Sequence, residues 1–237
     1  MKFTIARHSR TTGSTNTDAR NGAPGEVYTA DEQTAGRGRL DHSWHSAAGK
    51  NVIMSAVVSA AGLPPEHAAT FPLAAGLATA QAIEAIAGIS GAIAVKWPND
   101  VLFRNRKIAG ILCERNGENI ICGIGVNVLE RDFPEEIRSR ATSFAEEGVA
   151  CTVGQVRDLI LERLAEVYCG WRESGFAFVH RNLAEYDFLK GRMVSVVQTD
   201  SDSAPVSGLC GGVLPDGALD VGGVPVFAGE AHVSAIG

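Results

Sequence analysis

No Cys-x-x-Cys pair and no cluster of cysteine with histidine occurs in the sequence, so it offers no readable zinc site. Its five cysteines, Cys113, Cys122, Cys151, Cys169 and Cys210, are odd in number and lack the spacing of a disulfide framework. That pattern predicts reduced thiols and a cytoplasmic protein. Any basic block is missing too: 21 lysines and arginines stand against 27 acidic residues, a formal net charge of −6. Charge-driven binding to nucleic acid or to an anionic membrane is therefore disfavoured. The N-terminus carries no apolar block of the signal-peptide kind. The most apolar run, residues 71–95, is interrupted by Gly76, Gln81, Glu84, Gly88 and Gly91, which predicts a buried helix and then a strand, not a membrane span. No Gly-Lys-Ser/Thr phosphate loop, internal repeat or low-complexity segment is found, and no helix-turn-helix precedes the first apolar runs.

What is present suits a globular fold. The chain has 237 residues, 45% hydrophobic and 20% charged, enough to bury a sizeable core. The order of its apolar runs predicts an α+β protein, a mixed β-sheet with packing helices. Strands are expected over residues 26–30, 51–58 and 119–128, and helices over 72–86, 153–174 and 178–189, with a polar loop at 132–148. In 153–174, Val156, Leu159, Ile160, Leu164 and Val167 recur at helical spacing. From Gly191 onward short β runs are split by Gly, Pro and Asp turns, which predicts a small barrel. Two domains are expected, a large one over 1–189 and a small one over 190–237, with the boundary near Lys190.

The stretch Ile93–Gly110, I-A-V-K-W-P-N-D-V-L-F-R-N-R-K-I-A-G, carries the densest chemistry. An apolar strand should run to Lys96 and Trp97 and stop there, because Pro98 lacks an amide hydrogen and biases Trp97 away from helix. Asn99 and Asp100 are expected in a turn, and a second strand is expected to open at Lys107. Lys96, Asn99, Asp100 and Lys107 would then share one pocket, and Gly110 would allow a close backbone approach. The plain alternative is a strand–turn–strand with a solvated tip.

Two other segments offer polar groups. Ser14-Thr15-Asn16 leads into a short helical segment and reads either as an N-cap or as a cradle for a small polar ligand. In D-E-Q-T-A-G-R-G-R-L-D-H-S-W, Gly36 and Gly38 make a flexible loop and Arg37 and Arg39 add fixed positive charge, although a lone basic turn looks the same. Asn127, a polar residue in the apolar strand I-I-C-G-I-G-V-N-V, needs partners in either case.

Taken together, K-W-P-N-D with R-K-I-A-G, S-T-N and Q-T-A-G-R-G-R resemble the signature segments of the biotin protein ligases. The resemblance covers nearly all of the chain. It implies a class II synthetase-like (biotin/lipoate ligase-like) catalytic domain and an SH3-like C-terminal barrel, in a form without an N-terminal DNA-binding domain. It implies biotin, ATP with Mg2+, and a lysine of a biotin carboxyl carrier protein as reactants; a homodimer is compatible with it. Biotin would be held by Ser14, Thr15, Asn16, Gln33, Gly36, Arg37, Gly38, Arg39, Lys107 and Gly110. The nucleotide would be held by Trp44, Lys96, Asn99, Asp100 and Asn127. Where the family usually has G-R-G-R-x-G-R-x-W, this chain has Leu40, Asp41, His42 and Ser43 before Trp44, which predicts a looser lid.

Activation must press biotin's carboxylate against the α-phosphate of ATP, two anions that repel, so bridging cations lower the barrier. Lys107 is expected to bridge, with Arg37 and Arg39 closing above it. Asp100 is one candidate acceptor for the attacking lysine's proton. The rival readings are a lipoate or octanoyl ligase and a non-catalytic biotin sensor. A DNA-binding repressor is disfavoured by the charge.

Overall fold

Thr152 opens the longest helix by capping it. Its hydroxyl accepts from the Gln155 amide at 3.2 Å, and Gln155 Oε1 accepts from the Thr152 amide at 2.9 Å. Behind this cap Val156, Ile160, Leu164, Val167 and Trp171 recur every three or four residues, and all are buried. The other long helix is apolar all round. Between Phe71 and Ile83 every residue but Pro72 and Gln81 is buried, so it is a core helix. It ends at Gly88, whose φ of 64° no β-carbon opposes and whose amide donates to Glu84 O.

The structure, a computed structural model, describes residues 1–40, 43–44, 47–198 and 204–233. In chain order come β1 (Thr4–Thr12), α1 (Thr15–Asp18), β2 (Glu26–Gln33), β3 (Asn51–Ser59), α2 (Pro65–Ala68) and α3 (Phe71–Ala87). They are followed by β4 (Ile93–Lys96), β5 (Asp100–Phe103), β6 (Arg106–Asn116), β7 (Asn119–Asn127), α4 (Glu135–Arg138), α5 (Val153–Ser174) and α6 (Phe176–Leu183). The C-terminal strands are β8 (Met193–Val197), β9 (Val206–Val213), β10 (Leu219–Val221), β11 (Val224–Val226) and β12 (Glu230–Val233).

The first seven strands form one sheet in the order β1-β2-β3-β7-β6-β5-β4. β1 and β2 pair in parallel and each other neighbouring pair is antiparallel, so the sheet is mixed, as expected. Strand residues alternate between faces. Val52, Met54, Ala56 and Val58 of β3 and Ile120, Cys122, Ile124 and Val126 of β7 join α3 and α5 in the main core. The other face of the same strands carries Ile53, Ser55 and Val57 beside Gly125, Gly123 and Ile121. The last five strands form a second, antiparallel sheet in the order β11-β10-β9-β8-β12, the small SH3-like unit. Trp97 Nε1, donating to Gly217 O at 3.1 Å, and Val213 N, donating to Asp187 Oδ2 at 3.0 Å, tie the two sheets together.

Three local expectations need correction. Asp100 is not in the turn but opens a separate strand, β5, which returns to β6 through Arg104 and Asn105 at φ 46° and 66°. Two consecutive positive φ values make the tight turn whose twist suits a two-residue hairpin. The helix expected to run to Leu189 stops at Leu183, because Tyr186 and Phe188 turn to hydrogen-bond Val95 and cover the free edge of β4. Within the expected loop at 132–148, Glu135–Arg138 forms one helical turn.

Candidate active site

The site starts from a row of small residues. Asp100, Gly110, Gly125 and Ile53 lie side by side across β5, β6, β7 and β3, and Leu112, Gly123 and Ser55 form the next row. The missing side chains make a floor on which other groups lie. A β-carbon on Gly125 would stand 2.5 Å from the Trp44 indole, and one on Gly110 would stand 3.1 Å from it. The Gly110 gap also gives Lys107 its lane, since the same added carbon would lie 3.3 Å from Lys107 Cε. Lys107 Nζ thereby reaches Asp100 Oδ1 at 2.6 Å and stands 5.9 Å from the Trp44 ring centroid. Above this floor is a cavity of about 130 Å³.

One end of the cavity is neutral and polar. Ser14 precedes α1 without using its hydroxyl as a cap. The first amide of α1 is already engaged: Thr15 N and Thr15 Oγ1 both donate to Gln33 Oε1, at 2.8 and 3.1 Å. Ser55 Oγ lies 2.7 Å from Thr15 Oγ1 and 2.6 Å from Asn16 Oδ1. Asn16 Nδ2 donates to Leu112 O at 3.3 Å and to Glu114 Oε2 at 2.6 Å. Buried hydroxyl and amide groups are thus fixed in orientation before any ligand enters.

The other end is cationic. Arg39, Lys96 and Lys107 supply its charge, and Arg39 Nη1 donates to Gly229 O of the second sheet at 3.1 Å. Arg37 Nη2 pairs at 3.2 Å with the same Glu114 carboxylate that holds Asn16, and so stands beside the polar end. Burial pulls the Arg39 guanidinium and the Lys96 ammonium below their ordinary pKa values, against the opposing pull of Asp100 and Glu230. A partly desolvated cation attracts an entering anion more strongly than a hydrated one does. Trp97–Pro98 is a cis peptide. It leads into Asn99, whose Nδ2 donates to Ile111 O at 2.8 Å.

Thirteen of the expected site residues line the cavity: Ser14, Thr15, Asn16, Gln33, Arg37, Gly38, Arg39, Trp44, Lys96, Asn99, Asp100, Lys107 and Gly110. Gly36 and Asn127 do not. Gly36 sits behind the wall, accepting from Trp44 N at 3.0 Å, in a spot where a β-carbon would meet Trp44 O. Asn127 is a strut: its Nδ2 donates to Thr142 O at 3.0 Å. The strap it holds pairs with Lys107 on both sides, Lys107 N to Arg140 O and Thr142 N to Lys107 O. Asp41 and His42, the two departures within the loop, lie outside the described residues, while Leu40 takes a left-handed φ of 51° and Ser43 bridges back to Arg37.

Sequence reasoning missed Ser55, Glu114, and Glu230 with Ala231 of β12, the last two of which line the cavity. Ser55 had a signal, a single hydroxyl in the apolar run V-I-M-S-A-V-V. Glu114 and Glu230 had none, because their partners are distant in sequence.

Comparison with known proteins agrees with this geometry. Residues 8–128 match the model of the biotin/lipoate A/B protein ligase family. The chain is 37% identical over 171 residues to the biotin–[acetyl-CoA-carboxylase] ligase of Mycobacterium tuberculosis, covering 69% of this chain and 64% of that one. It is 42% identical over 136 residues to the bifunctional ligase/repressor BirA of Bacillus subtilis, covering 54% of this chain but only 41% of that longer protein. Among solved structures, biotin protein ligase from Aquifex aeolicus superposes with a TM-score of 0.84 at 25% identity, covering 98% of this chain and 100% of that one. The same enzyme in complex with biotin and ATP gives 0.79 at 27% identity, covering 98% and 96%.

Proposed function

From the premise that this chain belongs to the biotin/lipoate A/B protein ligase family, we propose that it is a biotin protein ligase. It activates biotin with ATP as biotinoyl-5'-AMP, releasing diphosphate, and passes the biotinoyl group to a lysine of a biotin carboxyl carrier protein. The observation that carries this is the polarity of one cavity, neutral donors and acceptors at Ser14, Thr15, Asn16 and Gln33, and cations at Arg39, Lys96 and Lys107. A ureido ring offers one carbonyl acceptor and two N–H donors, which suits the first end. A carboxylate facing an α-phosphate suits the second.

In the first half-reaction a biotin carboxylate oxygen attacks the α-phosphorus, and the bond to the β-phosphate bridging oxygen breaks as diphosphate leaves. Lys107 is the group assigned to meet both anions, and Asp100 Oδ1, 2.6 Å from its ammonium, would hold it in place until they arrive. Its work is electrostatic and positional. The described residues form no cluster of three or more metal-ligating side chains, so magnesium is expected to arrive on the triphosphate, with Asp100 and Glu230 as the cavity's carboxylates toward it. In the second half-reaction the carrier's amine attacks the mixed anhydride carbonyl and AMP leaves. Asp100 is the carboxylate beside Lys107 that can accept the amine's proton.

The test is biotin-dependent exchange of labelled diphosphate into ATP, followed by transfer of labelled biotin to a carrier domain. Exchange with lipoate or octanoate in place of biotin would move the protein to the other branch of the family. Binding of biotin with no exchange at all would make it a sensor.

A further inference from the structure

Glu114 lies one strand step beyond the cavity wall, next but one after Leu112 on β6, and the adenylation chemistry does not use it. Three groups nevertheless converge on its carboxylate. Asn16 Nδ2 stands at 2.6 Å, Arg37 Nη2 at 3.2 Å and Arg20 Nη2 at 3.6 Å. Its side chain is 27% exposed, against 46% for Arg37 and 58% for Arg20. A carboxylate so much less exposed than its cations is an anchor on rigid sheet, and the arginines are what it anchors.

The Asn16 contact settles which way that amide faces. Oxygen and nitrogen of an asparagine are near-equal in shape, so neighbours decide the orientation. Glu114 and Leu112 O both accept, which turns Nδ2 toward them and leaves Oδ1 to accept from Ser55. Remove the carboxylate and only the 3.3 Å contact to Leu112 O remains on that side. Arg37 belongs to the loop between β2 and β3, where it bridges Ser43. One carboxylate therefore touches both the polar end of the cavity and the loop beside its cationic end.

We propose that Glu114 is a positioning residue that couples the two: it fixes the Asn16 amide and docks Arg37, so that the loop's placement and the recognition of the ligand's polar head depend on one group. The effect on biotin rests on the ligase reading; the docking of Arg37 does not. Glu114→Gln separates the two roles, because its carbonyl can still accept from Asn16 while its charge for Arg37 is gone. Glu114→Ala removes both.

The experiment is brief digestion with trypsin, scored by mass spectrometry at the Arg37–Gly38 bond, together with steady-state exchange kinetics. Loss of an exposed charge contact should raise cleavage after Arg37 roughly fivefold in both variants, by freeing the loop. Biotin half-saturation should rise less in Glu114→Gln, which keeps an acceptor for Asn16, than in Glu114→Ala. In Glu114→Ala it should rise roughly tenfold with kcat retained, the size of one lost charged hydrogen bond. Arg37→Lys, which leaves β6 untouched and gives up only the guanidinium fork, should show a smaller rise in cleavage after residue 37. Wild-type cleavage in all three variants, or an unchanged half-saturation in Glu114→Ala, overturns the proposal. A wild-type protein without biotin-dependent exchange would defeat the ligase reading instead, and the cleavage rates, which need no substrate, would still decide the Arg37 contact.

Discussion

The two faces of β3, β6 and β7 are made from the same strands and do opposite work. On the covered face Val52, Met54, Ala56 and Val58 meet Ile120, Cys122, Ile124 and Val126 and pack on α3 and α5. On the open face the equivalent positions are Ile53, Ser55, Gly110, Leu112, Gly123 and Gly125. A strand residue with a large apolar side chain adds to stability, and a glycine there forfeits some of it. The open face accepts that loss in order to let Trp44, Asn16 and Lys107 come closer to backbone than any side chain would permit. The face that is worse for the fold is the one fit for chemistry.

The comparison can be broken by showing that damage crosses from one face to the other. The largest effect is expected at Lys107→Ala, which should cut adenylate formation by about 10²–10³ while the protein melts as the wild type does. Unaltered diphosphate exchange would remove Lys107 from the mechanism. On the covered face, Ile120→Ala should cost about 2–5 kcal/mol and lower Tm by roughly 5–15 °C, yet leave biotin half-saturation unchanged. If the half-saturation shifts with it, the two faces are not separable.

A smaller effect sharpens the contrast. Gly125→Ala puts a carbon 2.5 Å from the Trp44 indole, so the ring must move and exchange should fall about tenfold. Its Tm should stay within about 3 °C, since Trp44 lies on a loop and can yield. A full-activity Gly125→Ala enzyme would mean that the ring need not lie flat on that floor.

The smallest effect is pH-dependent and lies behind the loop. Burial pushes the Glu130 carboxyl up, but the amides of Ala47, Asp132 and Arg131 and the ammonium of Lys50 outweigh it and hold the group below its ordinary value of 4.5. A carboxyl depressed in the folded state contributes its stability in full above the unfolded pKa and loses it as pH falls through the folded one. Glu130→Gln should therefore lower Tm by about 2–4 °C at pH 7 and by little near pH 3. Thermal melts at both pH values decide it, and a deficit of the same size at pH 3 would assign the effect to packing.

Much of the covered face was legible in the sequence because it depends on local period. The 153–174 helix runs to the residues its apolar spacing marks, and the core helix and β3 lie within a residue of their expected ends. β1 was not legible. Its burial alternates nowhere, since its nine residues are almost all exposed, and only pairing with β2 makes it a strand. The site was legible as motifs, K-W-P-N-D, S-T-N and G-R-G-R, and these do gather at one cavity. What no motif carried was the partner at a distance: Ser55 39 residues from Asn16, Glu114 77 from Arg37, and Gly229 190 from Arg39. Asn127 was singled out for being polar in an apolar strand, a signal that does not distinguish a ligand contact from a satisfied strut.

The three tryptophans have unequal surroundings. Trp97 and Trp171 are buried in the scaffold with their ring nitrogens engaged, by Gly217 O at 3.1 Å and Thr70 Oγ1 at 2.9 Å. Trp44 and Trp97 both line the cavity, but of the two only Trp44 has an Nε1 enclosed without a partner among the described residues. Trp171 thus reports a constant background, while Trp44 and the buried ring of Trp97 border the space an occupant must enter. A change in emission on adding biotin would come from the cavity wall, Trp44 and Trp97, and the unmodified protein could be titrated by its own light.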